Sequence, residues 1–124
     1  MQLFYIGVFG GFGCVARYLA SGWSYQLLGR SLPYGTLLVN IVGSFLLGLL
    51  MTFGLRSILL SPEIRIGLTV GFMGGFTTFS TFSYETLRLL EDGSFWQAGM
   101  NISLNIILCL LFSLLGVLVA RQLT

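Results

Sequence analysis

Four apolar stretches follow one another along almost the whole chain, and each is about 20 residues long, which is enough to cross a bilayer as a helix. They lie at about 3–25, 34–55, 64–90 and 95–119 in a chain of 124 residues. Only 8% of the residues are charged, whereas a water-soluble domain carries about 25%. The sequence therefore predicts an all-α membrane protein with one domain, residues 1–124, of four transmembrane helices.

The third stretch contains the unusual run GGFTTFSTFS, residues 74–83. Each glycine weakens a helix by roughly 1 kcal/mol relative to alanine, and two threonines follow the pair directly. Because non-helical backbone is tolerated in a membrane only where protein buries it or where it lines a cavity, we expect a break near the centre of this helix and a functional site there. The alternative is a glycine-mediated helix contact with hydroxyls bonded to their own backbone. On a helix, the three phenylalanines of the run would share one face.

Two other spans carry polar or small residues at steps of four. They are Thr36, Asn40, Ser44, Gly48 and Thr52 in the second span and Asn101, Asn105, Cys109 and Ser113 in the fourth. This spacing places each set along one side of its helix. Together with the broken third span, the two stripes predict a hydrated path between helices. The alternative is that these side chains hydrogen-bond between tightly packed helices.

Several single residues in the spans invite specific expectations. Arg17 is the only charge inside the first span, and we expect its side chain to extend to the membrane interface rather than to be buried against a partner. Glu85 lies either in the mouth of a pore or in a pair with Arg88. Gly7 and Gly11 form a G-x-x-x-G pair, which allows two helices to approach closely.

The arginines are divided evenly between the two sides of the membrane that four spans define. One side carries Arg56, Arg65 and Arg121, and the other carries Arg17, Arg30 and Arg88. Because the bias of Lys and Arg between short loops sets orientation, the chain is expected to insert both ways round. Two oppositely oriented copies would then form an antiparallel, dual-topology homodimer. Size favours the same assembly, since four helices hardly enclose a pore alone.

The chain offers little for enzyme chemistry, and we expect it not to be an enzyme. It has no histidine and only four acidic residues, so no Ser-His-Asp triad and no Cys/His metal cluster can be built from it. A small dual-topology multidrug or cation exporter is the alternative function, because those proteins also have four spans. They need an acidic residue at mid-depth in the first span, and this first span has none.

The chain resembles the small fluoride channels of the CrcB/Fluc type over its whole length. The motifs that carry the resemblance are Gly10-Gly11-Phe12-Gly13 with Arg17-Tyr18, Gly35-Thr36-Leu37 with Asn40 and Gly43-Ser44, and residues 74–83 with Glu85. The resemblance implies a fluoride-selective passive channel that exports toxic fluoride from the cytoplasm across the bacterial inner membrane. It also implies a homodimer with two pores. The expected partners are fluoride, a second copy of the chain and the lipid bilayer, with no nucleic acid.

The resemblance further assigns roles to individual residues. A structural sodium ion, which is not transported, would be bound by the backbone carbonyls of Gly74 and Thr77 from both subunits. The ion pathway would contain Asn40, Phe79, Phe82, Ser80, Thr81, Asn101 and Asn105. Phe76 is expected to be ordinary packing. Fluoride is strongly hydrated, so hydroxyls and amides must replace its water, and the positive edges of phenylalanine rings suit an anion path.

Overall fold

The computed structural model describes residues 1–56 and 58–124, and this part of the chain is helical without any strand. Three long helices are α1 (Gln2–Leu28), α2 (Tyr34–Arg56) and α6 (Phe95–Leu123). Between α2 and α6, a third segment consists of α3 (Pro62–Ile66), a π-helical stretch (Gly67–Phe72), α4 (Met73–Phe76) and α5 (Ser80–Glu91). Ser57 and the side chains of Leu55 and Arg56 lie outside the described part, so the predicted side of Arg56 stays a prediction.

Three of the helices are long and apolar enough to cross a membrane. The most apolar 18-residue window has a mean hydropathy of 1.5 in Gln2–Leu28, 2.1 in Tyr34–Gly54 and 2.7 in Phe95–Leu123. These are the first, second and fourth of the predicted spans. The third segment is not among these three because its helix is interrupted. The sequence predicted this interruption.

The packing of α2 against α6 shows that the third segment runs antiparallel to both of these helices. Asn40 bonds Asn105, which lies 65 positions later, and the same separation joins Gly48 to the Ser113 carbonyl that it packs against. A constant separation means that α2 and α6 run in the same direction. The chain between them must therefore return over the same distance, which makes four helical crossings.

α1 packs beside the third segment through small residues. A Cβ atom on Gly71 would lie 2.8 Å from the Ile6 carbonyl oxygen, and one on Gly10 would lie 3.5 Å from the Gly71 carbonyl oxygen. A Cβ atom on Gly7 or Gly11 would meet no neighbouring helix within 4 Å in the described part of the chain. The close approach within the chain therefore uses a different face of α1 from the predicted glycine pair.

The buried centre of the fold fixes α4 against α2. Val39 and Met73 are each 1% exposed and Phe76 is 8% exposed. The ring of Phe76 also stacks on that of Phe72, with centroids 6.0 Å apart. Phe76 is therefore a packing residue, as predicted. Because lipid tails are as apolar as this cluster, its contribution comes from close packing rather than from removal of surface from water.

The break itself lies between α4 and α5. α4 ends at Phe76, Thr77 takes an extended conformation with φ −93° and ψ 160°, and α5 begins at Ser80. Phe76 and Phe79 lie on opposite sides of this interruption. The three phenylalanines therefore do not share the single face that they would have on a continuous helix. The break leaves Phe79 77% exposed in the single chain.

Candidate functional site

The backbone of Thr78 is held by a side chain from α2. In an unbroken helix, its N–H would donate to the carbonyl of Gly74. Instead it donates to Oδ1 of Asn40 at 2.9 Å, and Nδ2 of Asn40 donates to the Thr78 carbonyl at 3.0 Å. The Asn40 amide thus pairs with both backbone groups of one residue, as a peptide group of a neighbouring strand does.

A second side chain reaches the break from α1. Nε of Arg17 donates to the carbonyl of Gly75 at 2.9 Å, a carbonyl that would accept the Phe79 N–H if the helix continued. The expectation that Arg17 extends to the membrane interface is therefore wrong. A charged group inside a membrane protein requires a partner, and the interruption of the helix supplies one.

The break also leaves the two carbonyls predicted to bind sodium without their helical donors. Thr78 gives its N–H to Asn40 rather than to Gly74, and Thr81 gives its N–H to Oγ1 of Thr78 at 3.1 Å rather than to the Thr77 carbonyl. Within the described ranges, no hydrogen bond reaches the carbonyl of Gly74 or of Thr77. Free carbonyls of unwound helices are ligands that Na⁺ accepts, so the two predicted ligands fit a sodium ion.

A cavity of about 280 Å³ lies beside the break, between α2, α5 and α6. It is lined by Asn40, Gly43, Ser44, Leu47, Thr77, Thr78, Phe79, Phe82, Asn105, Ile106 and Cys109. The rings of Phe79 and Phe82 lie with centroids 5.5 Å apart and planes at 51°. Amides and aromatic rings therefore face the same space, and the two polar stripes meet there.

The structure brings together four of the seven residues predicted for the pathway. These four are Asn40, Asn105, Phe79 and Phe82. Ser80 and Thr81 lie next to the cavity at the start of α5, where Oγ1 of Thr78 donates to Oγ1 of Thr81 at 3.0 Å. Asn101 does not line this cavity and is only 1% exposed.

The first turn of α5 presents unpaired backbone N–H groups beside the two rings. The N–H groups of Phe79, Ser80 and Phe82 have no hydrogen-bond partner in the part of the chain that the structure describes. The start of a helix carries a partial positive charge from such groups. This end of the cavity is therefore favourable for an anion.

A second cavity, of about 540 Å³, continues one turn further along α5. The hydroxyl of Tyr25 donates to Oε2 of Glu85 at 3.1 Å, and the guanidinium of Arg30 lies 4.4 Å from the centroid of the Tyr25 ring. Arg88 also lines this cavity but donates to the Tyr84 hydroxyl at 3.3 Å. Glu85 therefore bonds Tyr25 and, among the described residues, makes no hydrogen bond to Arg88, while its place in the mouth of a pore stays a prediction.

Sequence reasoning missed two threonines that organise the site. Oγ1 of Thr78 accepts from the Thr81 N–H and donates to Oγ1 of Thr81. Oγ1 of Thr86 accepts from Nδ2 of Asn101 at 2.9 Å. Thr86 is 8% exposed. The only signal in the sequence was a hydroxyl residue in an apolar environment, and this does not indicate its partner.

The chain is similar to known proteins over nearly its full length. A family model described as CrcB-like protein, Camphor Resistance (CrcB), matches residues 4–117. A protein of Syntrophotalea carbinolica named fluoride-specific ion channel FluC is 63% identical, over 99% of this chain and 100% of its own length. Proteins with the same name from Geotalea uraniireducens and Geobacter sulfurreducens are 60% and 58% identical, over 96% and 95% of both chains. The matched residues include the break and both cavities.

Proposed function

Because this chain belongs to the CrcB-like protein family, we propose that it is a fluoride-specific passive ion channel that lets toxic fluoride leave the bacterial cytoplasm across the inner membrane. It is a multi-pass membrane protein and not an enzyme. The observation that supports the proposal best is the cavity beside the break, which amides and two phenylalanine rings line together.

The cavity offers fluoride substitutes for its lost water. The first turn of α5 supplies unpaired N–H groups there. The amides of Asn40 and Asn105 line the same space, but their NH₂ groups already donate within the chain, so they shape the wall of the cavity. The rings of Phe79 and Phe82 add positive edges without a full charge. An ion pore must bind strongly enough to admit the ion and weakly enough to release it, and neutral donors meet both conditions better than an arginine in the cavity would.

The proposal includes a sodium ion at the break, which stays bound and is not transported. The carbonyls of Gly74 and Thr77 have lost their helical donors, and Gly74 is exposed on the single chain with open space around its Cα atom. Two copies facing each other across this point would offer four carbonyls to one cation. A cation held in this way would stabilise the dimer.

The proposed assembly is an antiparallel homodimer with one pathway in each half. The exposed face of Gly74 and the 77% exposure of Phe79 support it, because both predicted functional residues lie on surface that a single chain leaves uncovered. Its test is a tag on one terminus of the chain in intact cells. Dual topology requires that the tag be labelled from both sides in equal number, whereas a single accessible side would refute it.

Fluoride flux from liposomes tests the function itself. Purified protein should release trapped fluoride passively, as followed by a fluoride electrode, and should retain chloride under the same gradient. Drug efflux coupled to proton uptake would instead identify the exporter. The absence of all flux, from protein shown to be folded and reconstituted, would reject the channel.

A further inference from the structure

Four buried or partly buried polar side chains join the break to α5 through α6. Nδ2 of Asn40 donates to Oδ1 of Asn105 at 3.1 Å, and Nδ2 of Asn105 donates to Oδ1 of Asn101 at 3.1 Å. The series ends with Nδ2 of Asn101, which donates to Oγ1 of Thr86. We name this series, Asn40–Asn105–Asn101–Thr86, the amide relay.

Backbone groups fix the direction of the amide relay at both ends. Oγ1 of Thr86 donates to the Phe82 carbonyl at 2.8 Å, and a carbonyl only accepts. The Thr86 oxygen is therefore left to accept, which requires the NH₂ group of Asn101 to face it. At the other end, the Thr78 N–H only donates, so Oδ1 of Asn40 must face it.

Because of this arrangement, no single amide of the relay can exchange the positions of its oxygen and nitrogen without losing hydrogen bonds. If Asn101 turned, its NH₂ group would meet the NH₂ group of Asn105, and a buried donor would lose its acceptor. A buried polar group left unpaired has lost its hydrogen bonds to water without a replacement, so such a turn is unfavourable. The amide of Asn105 is secured further, because it also donates to the backbone carbonyl of Asn101 at 2.9 Å.

We propose that Thr86 and Asn101 are positioning residues of the ion pathway, which act through Asn105 and Asn40 without touching the ion. Neither lines the cavity, yet their bond joins α6 to the helix that carries both rings. It fixes the turn of α5 at Phe82, whose carbonyl the Thr86 hydroxyl contacts. It also keeps the amides that face the cavity in one orientation. This inference rests on the proposed function.

Two substitutions at Thr86 separate positioning from packing. Thr86→Val keeps the shape and removes the hydroxyl, whereas Thr86→Ser keeps the hydroxyl and removes a methyl group. If the relay positions the pathway, the valine variant should lose fluoride flux by about tenfold, as expected when one buried donor is left unpaired, and the serine variant should keep it. If Thr86 only packs, the valine variant should conduct normally and the serine variant should be the weaker one, which would overturn the proposal.

Thr69→Val is the matched control. Oγ1 of Thr69 donates to the Arg65 carbonyl at 2.8 Å, the same bond to the preceding turn that Thr86 makes, but no side-chain amide of the described residues donates to it. This variant should conduct as the wild type does. A loss equal to that of Thr86→Val would show that the bond within the helix, rather than the relay, is responsible.

A second measurement keeps the inference separate from the channel function. In ¹⁵N-labelled protein, the side-chain NH₂ of Asn40 should exchange slowly with water in the wild type and in Thr86→Ser, and faster in Thr86→Val. If the wild type passes no fluoride, the proposed function fails, while this exchange pattern still decides whether the relay orders Asn40. Equal exchange in all three proteins would refute the relay whatever the flux.

Discussion

Asn40 and Thr78 pair as two peptide groups do, although only one of the partners is backbone. The Thr78 N–H donates to the side-chain oxygen of Asn40 at 2.9 Å, and the side-chain nitrogen donates back to the Thr78 carbonyl at 3.0 Å. An amide side chain is the only uncharged one that supplies both a carbonyl and N–H donors. The pair explains how a helix is interrupted in an apolar environment without unpaired groups at Thr78.

Asn40→Asp tests this pair with almost no change in size. The carboxylate has no N–H donor, so the oxygen that replaces Nδ2 would face the Thr78 carbonyl and Oδ1 of Asn105. It would also add a negative charge to an anion path. We expect fluoride flux to fall by about tenfold or more, the equivalent of one unpaired buried group. Gln97→Glu makes the same chemical change on α6 away from the cavity. Equal losses in the two variants would contradict the role of the pair.

The two rings of the cavity give a second prediction. Phe79→Ile and Phe82→Ile keep an apolar side chain but remove the positive ring edge. Each should reduce fluoride flux in liposomes while the dimer stays intact on size-exclusion chromatography. Phe95→Ile provides the control, because Phe95 is 69% exposed at the start of α6 and lies outside the cavity. Unchanged flux in both variants would remove the rings from the pathway.

Gly43 gives a prediction about the shape of the break. It is buried on α2, and a Cβ atom on it would collide with Cγ2 of Thr77. Gly43→Ala should therefore displace the extended residue and destabilise the fold by about 1–3 kcal/mol, as overpacking does. Gly99→Ala is matched to it, since Gly99 lies within α6 and has nothing within 4 Å of its Cβ position. Thermal unfolding in detergent compares the two, and equal midpoints would refute the collision.

The sequence predicted those features of the fold that depend on residues close together along the chain. Stretch length gave the four crossings, and Gly74-Gly75 followed by two threonines gave the position of the break, because both depend on the residues themselves. The partner of Arg17 could not be predicted, since the Gly75 carbonyl becomes available only when the helix is interrupted. The π-helical stretch and the burial of Asn101 were missed for the same reason, because both depend on how the helices pack.

Arg17→Gln tests the bond that the sequence did not predict. Glutamine is shorter and uncharged, so the Gly75 carbonyl would lose the donor that holds it at 2.9 Å. The bond is partly buried, so we expect a loss of about 1 kcal/mol in stability, the lower end of the cost of an unpaired buried acceptor. Arg121→Gln, at the exposed end of α6, should unfold at the wild-type temperature. A midpoint for the Arg17 variant as high as that of this control would show that the bond is dispensable.

Sodium should stabilise the dimer if it binds at the break. A ligand at 100 times its dissociation constant adds about 2.7 kcal/mol, so dimers in sodium should resist dissociation more than dimers in a large organic cation. Thr78→Val should weaken this response, because Thr81 could then return its N–H to the Thr77 carbonyl and compete with the ion.

Thr124→Val is the control for that substitution, since the Thr124 hydroxyl donates to the carbonyl of Ala120 at the end of α6, away from the break. The monomer–dimer equilibrium, measured in both salts, compares the three proteins. The wild type and Thr124→Val should gain the same stability from sodium, and Thr78→Val should gain less. Equal dissociation of the wild type in the two salts would exclude a structural sodium ion.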